Sequence, residues 1–293
     1  MYDIESLHCA TSVDDAVRAL AEDPQAIVVA GGTDVLVKIR EGKFAGAHLV
    51  SIHELRDELD GVTLSDDGTV EIGPITWFHH VTTSPVIQAT VATLGDACDT
   101  PGGPQLRVSG TIGGNVCNAA TSADSASTLF AYGALLDVRG PRGERTIPIE
   151  EWYAGPGRST KERDEVLVKI RIPKDHYEGF TGHYFKYGKR RALEIATMGC
   201  CCLVKLSADK RRVEDVRLAF GVAGPTPMRA HGAEDGVRGL TVAEAAERVG
   251  ALAQADTNPR DSWRASKEFR LQLIKEMAKR SLVEAARKGG AEI

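Results

Sequence analysis

Two short stretches carry the residue types from which a binding site for a phosphorylated coenzyme can be built. The first, AIVVAGGTDVLVKIR at residues 26–40, runs Ile27, Val28, Val29 and Ala30 into Gly31, Gly32, Thr33 and Asp34. A strand that enters a glycine turn presents successive backbone N–H groups outward, and glycine lets an anion approach with no Cβ in the way. A helix start directly after the turn adds free N–H groups and the positive end of its dipole. The Thr33 hydroxyl is a further donor. Taken alone, the same glycine pair also fits an ordinary tight turn. The second stretch is SGTIGGNVCNAATSADSAS at 109–127, with Gly110, Thr111, Ile112, Gly113, Gly114 and Asn115 followed, further along, by the acidic Asp124. Its amides suit phosphate oxygens and its carboxylate suits ribose hydroxyls; the alternative is a polar surface loop. Two such loops, each able to serve half a dinucleotide, weigh against the blander readings. Neither has the G-x-G-x-x-G spacing of nicotinamide-binding folds.

Elements able to position these loops are legible on either side. Thr11 to Glu22 predicts a helix capped by Thr11 or Ser12, with Val13, Ala16, Val17 and Leu20 on one face. Ala26 to Ala30 predicts a buried strand, Val35 to Arg40 a helical turn or two, and Ala47 to Ile52 a second strand. Residues 62–72 read as a hairpin about Asp66-Asp67-Gly68. Ser84 to Cys98 has helical spacing, with Ser84 as cap and Pro85 in the first turn. Residues 99–127 hold too many Gly and Pro for continuous regular structure. Leu135 to Arg139 and Val166 to Ile172 predict strands, and 173–182 a boundary. Beyond it come a hairpin of Cys200 to Leu206 with Val213 to Phe220, a loop at 221–227, and helices at 241–254 and about 262–288. On the last, Phe269, Leu273, Met277 and Val283 share a face.

Composition bounds the function. A chain of 293 residues, 42% hydrophobic and 26% charged, is ordinary for a globular protein. A net charge of −5 argues against a dedicated nucleic-acid surface. No apolar run approaches a bilayer span, and no export signal opens the chain. Six cysteines include three in a row, a poor disulfide framework, so Cys200 to Cys202 read as a strand of buried thiols in a reducing cytoplasm. Without a Cys-x-x-Cys pair, structural zinc has no support.

VVAGGTDVL, QLRVSGTIGGNVCNAATSAD, DEVLVKIRIP and FKYGKRRALEIATMG together resemble the FAD-binding medium subunits of the molybdenum hydroxylases. TSADSAS, LAFGVAGPTPMR and SWRASKEFRLQLI look most like the bacterial xanthine dehydrogenase members. The resemblance covers nearly the whole chain. It implies an α+β fold: a two-subdomain FAD-binding domain of the PCMH/vanillyl-alcohol-oxidase type at 1–173, divided near 56–57. A smaller α+β domain of the CO dehydrogenase flavoprotein C-terminal type follows at 182–290. It further implies that Ile27 to Asp34 hold the pyrophosphate of noncovalent FAD, that Gly110 to Asn115 form the second loop, and that Asp124 reaches the ribose. Val166 and Leu167 would line the isoalloxazine, and Phe185 and Lys186 would lie near the ring. No residue is assigned as catalytic. Molybdopterin and [2Fe–2S] clusters would sit on a large and a small partner subunit, in a dimer of heterotrimers, with NAD as co-substrate. The chain departs from the family wording at Thr121, where Pro is usual, and at Val108, where Asn is common.

Two other features have competing readings. His79 and His80 are adjacent and point about 100° apart on a helix, which disfavours a shared metal. The basic run Lys186, Lys189, Arg190 and Arg191 fits either a solvated turn or an attraction for an anionic nucleotide.

Overall fold

Ser12 opens the first helix, its hydroxyl accepting from the Asp15 amide at 3.1 Å. That bond satisfies one of the donors every helix start leaves unpaired. Val13, Ala16, Val17 and Leu20 bury one face of Val13–Glu22, as their spacing predicts. The computed structural model, which describes residues 2–292, packs this helix on a parallel sheet ordered Ile4–Cys9, Ala47–Ser51, Ala26–Val29. The outer strand was not expected. All six of its residues are exposed, so it shows no apolar alternation and owes its order to pairing rather than burial.

The second sheet is antiparallel, in the order Val62–Leu64, Val70–Ile72, Val166–Ile172, Leu135–Gly140, Gly143–Pro148. It shares a core with short helices, in which Ile87, Leu94, Ile112, Leu129, Leu136 and Ile170 are fully buried. The single helix expected over Ser84 to Cys98 is two, Pro85–Thr90 and Ala92–Cys98. The Thr90 hydroxyl donates to the Val86 carbonyl at 2.6 Å, competing for a helix-ladder acceptor, and fully buried Val91 leaves helical geometry.

The breaker-rich segment holds three short helices between turns: Pro104–Arg107, Ile112–Cys117 and Asp124–Ala131. All eight residues of the last are buried. Small Ser125, Ala126 and Ser127 let it lie close to the strands Met198–Leu206 and Val213–Gly221.

Those strands belong to a third, antiparallel sheet ordered Thr181–Tyr187, Met198–Leu206, Val213–Gly221, Met228–Arg229. The three consecutive cysteines lie on its second strand. Cys200 and Cys202 pack toward the C-terminal helices and Cys201 toward Asp124–Ala131, all three fully buried. A central strand covered on both faces takes small apolar side chains at every position. The helices His231–Val237 and Lys267–Lys288, the latter capped by Ser266, cover the outer face, and Val242–Asp256, with a Thr241–Glu244 capping box, packs on both. The last helix starts five residues later than expected. Buried Arg270 donates to the carbonyl of Arg260 and to Ser262 Oγ, holding 260–262 out of the helix. Phe269 lies 42% exposed against Tyr187 instead of in the core.

Candidate functional site

The two glycine loops meet. A Cβ built on Gly31 would lie 1.9 Å from the Ser109 carbonyl oxygen and 3.4 Å from Gly110 Cα, so the backbones touch only because neither carries a side chain there. Beside the contact opens a cavity of about 540 Å³, within the range of sites for coenzyme-sized ligands. Ile27, Val28, Ala30 and all of Gly31 to Asp34 border it. So do Thr111, Gly113, Gly114, Asn115, Asp124, Val166 and Leu167.

The amides of the two loops are used differently. The strand Ala26–Val29 ends at the sheet edge, and Gly32 turns the chain at φ +70° into the helix Val35–Arg40. Among the described residues, the amides of Gly31, Gly32, Thr33 and Asp34 find no acceptor in the chain. Asp34 does not cap the helix with its side chain either. The second loop runs against 74–78 and spends its donors. Gly110 donates to Leu106 O at 2.7 Å, Ile112 to Thr76 O at 3.0 Å and Gly113 to Pro74 O at 2.8 Å. Gly114 donates to Thr111 Oγ1 at 3.0 Å, and Asn115 to Thr111 O at 3.0 Å. A Cβ on Gly113 would sit 2.4 Å from Pro74 Cβ.

Side chains then tie the loops together. Lys38, on the helix after the first loop, donates from Nζ to Asn118 Oδ1 at 2.6 Å. Asn115 Oδ1 accepts from Ser125 Oγ at 2.7 Å. Lys161 and Arg163 add positive charge to the cavity wall. Lys161 Nζ donates to the carbonyls of Glu162 and Glu165 at 2.8 and 2.7 Å, and burial pushes its pKa down. Cys117 also borders the cavity; burial raises its thiol to about 11, so it stays protonated and serves as packing.

Some expected residues lie elsewhere. Val29 faces the small core of Ile39, Ala47 and Leu49, and Ile112 is fully buried. Gly110 packs on Leu106 and Phe78 behind the loop. Phe185 and Lys186 are strand neighbours and so point to opposite faces: Phe185 packs with the C-terminal helices, away from the cavity. Lys186 Nζ donates to Asp124 Oδ2 at 2.9 Å and to the Thr100 carbonyl at 3.1 Å. The Tyr184 hydroxyl donates to Asp124 Oδ1 at 2.8 Å. Burial pushes the Asp124 carboxyl up, opposed by Lys186 and these hydrogen bonds. Asp124 and Lys186, expected at different parts of one ligand, are thus a buried pair. His79 and His80 are exposed on a short helix, and among the described residues no cluster suited to a metal ion occurs.

Sequence reasoning missed Lys161 and Arg163, whose run KERDE reads as solvated surface. Lys38 is an ordinary helix lysine in the text, and its link to Asn118 spans 80 residues.

Residues 2–175 match the family model of the FAD binding domain in molybdopterin dehydrogenase, and residues 183–285 that of the CO dehydrogenase flavoprotein C-terminal domain. The chain belongs to this family, the FAD-binding medium subunits of the molybdenum hydroxylases. Over 294 residues it is 40% identical to the xanthine dehydrogenase FAD-binding subunit of Escherichia coli O157:H7, covering 100% of both chains. Over 277 residues it is 29% identical to the carbon monoxide dehydrogenase medium chain of Hydrogenophaga pseudoflava, covering 94% of each. A solved structure of carbon monoxide dehydrogenase from that organism superposes with a TM-score of 0.92 at 29% identity, covering 99% of each chain.

Proposed function

We propose that this chain carries noncovalent FAD as the electron-transfer subunit of a heteromeric molybdenum hydroxylase of the xanthine dehydrogenase type. In this reading, electrons from purine hydroxylation reach it from the [2Fe–2S] clusters of a small partner subunit and leave as hydride to NAD⁺. A large partner subunit holds the molybdopterin, in a dimer of heterotrimers. Six free cysteines support a reducing, cytoplasmic setting. The division into domains at 1–173 and 182–290 is part of the proposal, supported by a third sheet drawn wholly from residues after Phe180.

The observation that carries the reading is the row of four amides at Gly31 to Asp34 without acceptors among the described residues, on a cavity wall completed by the second loop. These amides lie at half-buried and exposed positions open to the cavity, and successive backbone N–H groups that converge on a cavity without protein acceptors suit an anion. The pyrophosphate of FAD fits that cradle, with the Thr33 hydroxyl as an added donor. When bound, FAD supplies the exchange between single electrons and hydride. The protein's own part is to bind, orient and exclude water. Val166 and Leu167, at 2% and 3% exposure, form a dry wall. Lys161 and Arg163 favour anionic ligand groups, and the Lys38–Asn118 bond fixes the distance between the loops.

Purified with its partners, the chain should show a flavin band that xanthine bleaches and NAD⁺ restores. Bleaching by carbon monoxide or nicotinate instead would move the reading to another member of the class, for which the likeness to the carbon monoxide dehydrogenase medium chain speaks. A colourless complex would leave a non-redox nucleotide-binding scaffold.

A further inference from the structure

The chain is acidic overall, at −5, yet two adjoining loops gather basic residues. Residues 188–197 hold Lys189, Arg190 and Arg191, and 257–266 hold Arg260 and Arg264. Trp263 joins the loops. Its ring is 78% exposed, with the Arg264 guanidinium 4.4 Å and Lys189 Nζ 5.7 Å from its centroid. At the ends of the elements that flank these loops, the rings of Tyr187 and Phe269 meet edge-on at 5.8 Å.

Most of these charges have no ion-pair partner, and Asp261 in the second loop accepts from the Lys267 amide at 2.7 Å. Of the five cations, only Arg190 has a carboxylate partner among the described residues, Glu194 at 2.9 Å. Beneath the second loop, Arg270 is 2% exposed and has none: it donates to the Arg260 carbonyl and, at 2.8 Å, to Ser262 Oγ. The Nε atoms of both Arg264 and Arg270 are buried without a partner. A buried guanidinium without an anion is costly, and negative charge seated over the loop offsets that cost. The same two segments expose Leu193 and Ile195 besides Trp263. A free anion would use the cations and leave these apolar groups wet. An exposed Trp among Arg and aliphatic side chains is the make-up of a protein interface.

We propose that Trp263, flanked by Lys189 and Arg264, is the centre of a docking surface for an acidic face of a partner subunit of the same complex. The inference rests on the heteromeric reading above and specifies where assembly occurs. Glu194 and Ile195, on the first of the two loops, border the cavity, so the docked partner lies at the cavity's rim.

The test uses the full chain expressed with its partner subunits and measures assembly by sedimentation at low and high salt, with flavin content recorded on the same samples. Trp263→Ala should weaken assembly about tenfold or more, as truncation of an interface anchor does. Arg264→Glu should weaken it and flatten its salt dependence. Lys189→Glu, which disturbs no buried atom, should do the same should Arg264→Glu fold poorly. Flavin content should stay unchanged in all three. Variants that assemble with wild-type affinity and salt dependence overturn the proposal. If they also need more nicotinamide dinucleotide for half-maximal turnover, the surface serves a nucleotide instead. A wild-type chain that binds flavin yet never assembles overturns the heteromeric reading itself, and is told apart because no variant is needed to see it.

Discussion

At Gly31 to Asp34, four consecutive amides have no acceptor among the described residues, whereas between Gly110 and Asn115 five amides have one. Both loops pair glycines with small polar residues, and both border one cavity. The difference lies in what runs beside them. The first loop leaves the end of a parallel sheet, where no further strand takes its donors. The second lies against Pro74 to Phe78, bridged at Trp77–Thr111, and its glycines serve close packing on Pro74 and Phe78. One loop therefore keeps its donors free, as the proposed anion site requires, and the other spends them bracing the wall opposite. Motif wording alone does not tell these roles apart; the hydrogen-bond ledger does.

Substitutions behind the second loop should unsettle the fold first. Lys186→Met leaves Asp124 buried without its cation, a change worth about 3–5 kcal/mol at neutral pH. Burial already holds this carboxyl above its ordinary 3.8. An acid raised in the folded state contributes stability below its unfolded pKa and loses it as pH rises through the folded one. The Lys186→Met deficit should therefore grow from acid to neutral pH in thermal melts, and adding Asp124→Asn should remove that pH dependence. Gly113→Ala, driving a methyl into Pro74, should cost about 1–3 kcal/mol, read from denaturant midpoints. If it instead lost FAD at full stability, the contrast between the loops would fail.

The first loop should respond the other way round. Gly32→Val, forcing a branched residue to φ +70°, should cost only about 1–3 kcal/mol of stability. It should nevertheless remove most of the flavin, measured as absorbance per folded chain. The smallest effect is expected at Lys38→Met, which removes the hydrogen bond to Asn118 and the cation's contact with the Phe44 ring. Stability should fall by about 0.5–1.5 kcal/mol, with weaker FAD retention on dilution.

Much of this architecture is legible in local patterns. Ser12, Ser84, Thr241 and the Val166 to Ile172 run announce their elements because caps and apolar periodicity act over a few residues. The Asp124–Ala131 helix is hidden because polar Asp124, Ser125, Ser127 and Thr128 are buried beside Leu129 and Phe130, so no apolar stripe marks it, and the strands it packs on come far later in the chain. The contact of Gly31 with Ser109 and the use of loop donors by Pro74 and Thr76 are long-range facts with no local signal. Phe185 and Lys186 teach a different lesson. The alternation of a strand already separates them, so only one can face the cavity side, and the structure gives that side to Lys186.

Amide hydrogen exchange on the chain with and without FAD tests the central contrast most directly. Gly31 to Asp34 should exchange quickly in the flavin-free chain and become protected when FAD binds, while Ile112 to Asn115 should be protected in both states. Protection of Gly31 to Asp34 that does not change with flavin, or protection gained mainly at Ile112 to Asn115, would contradict the account.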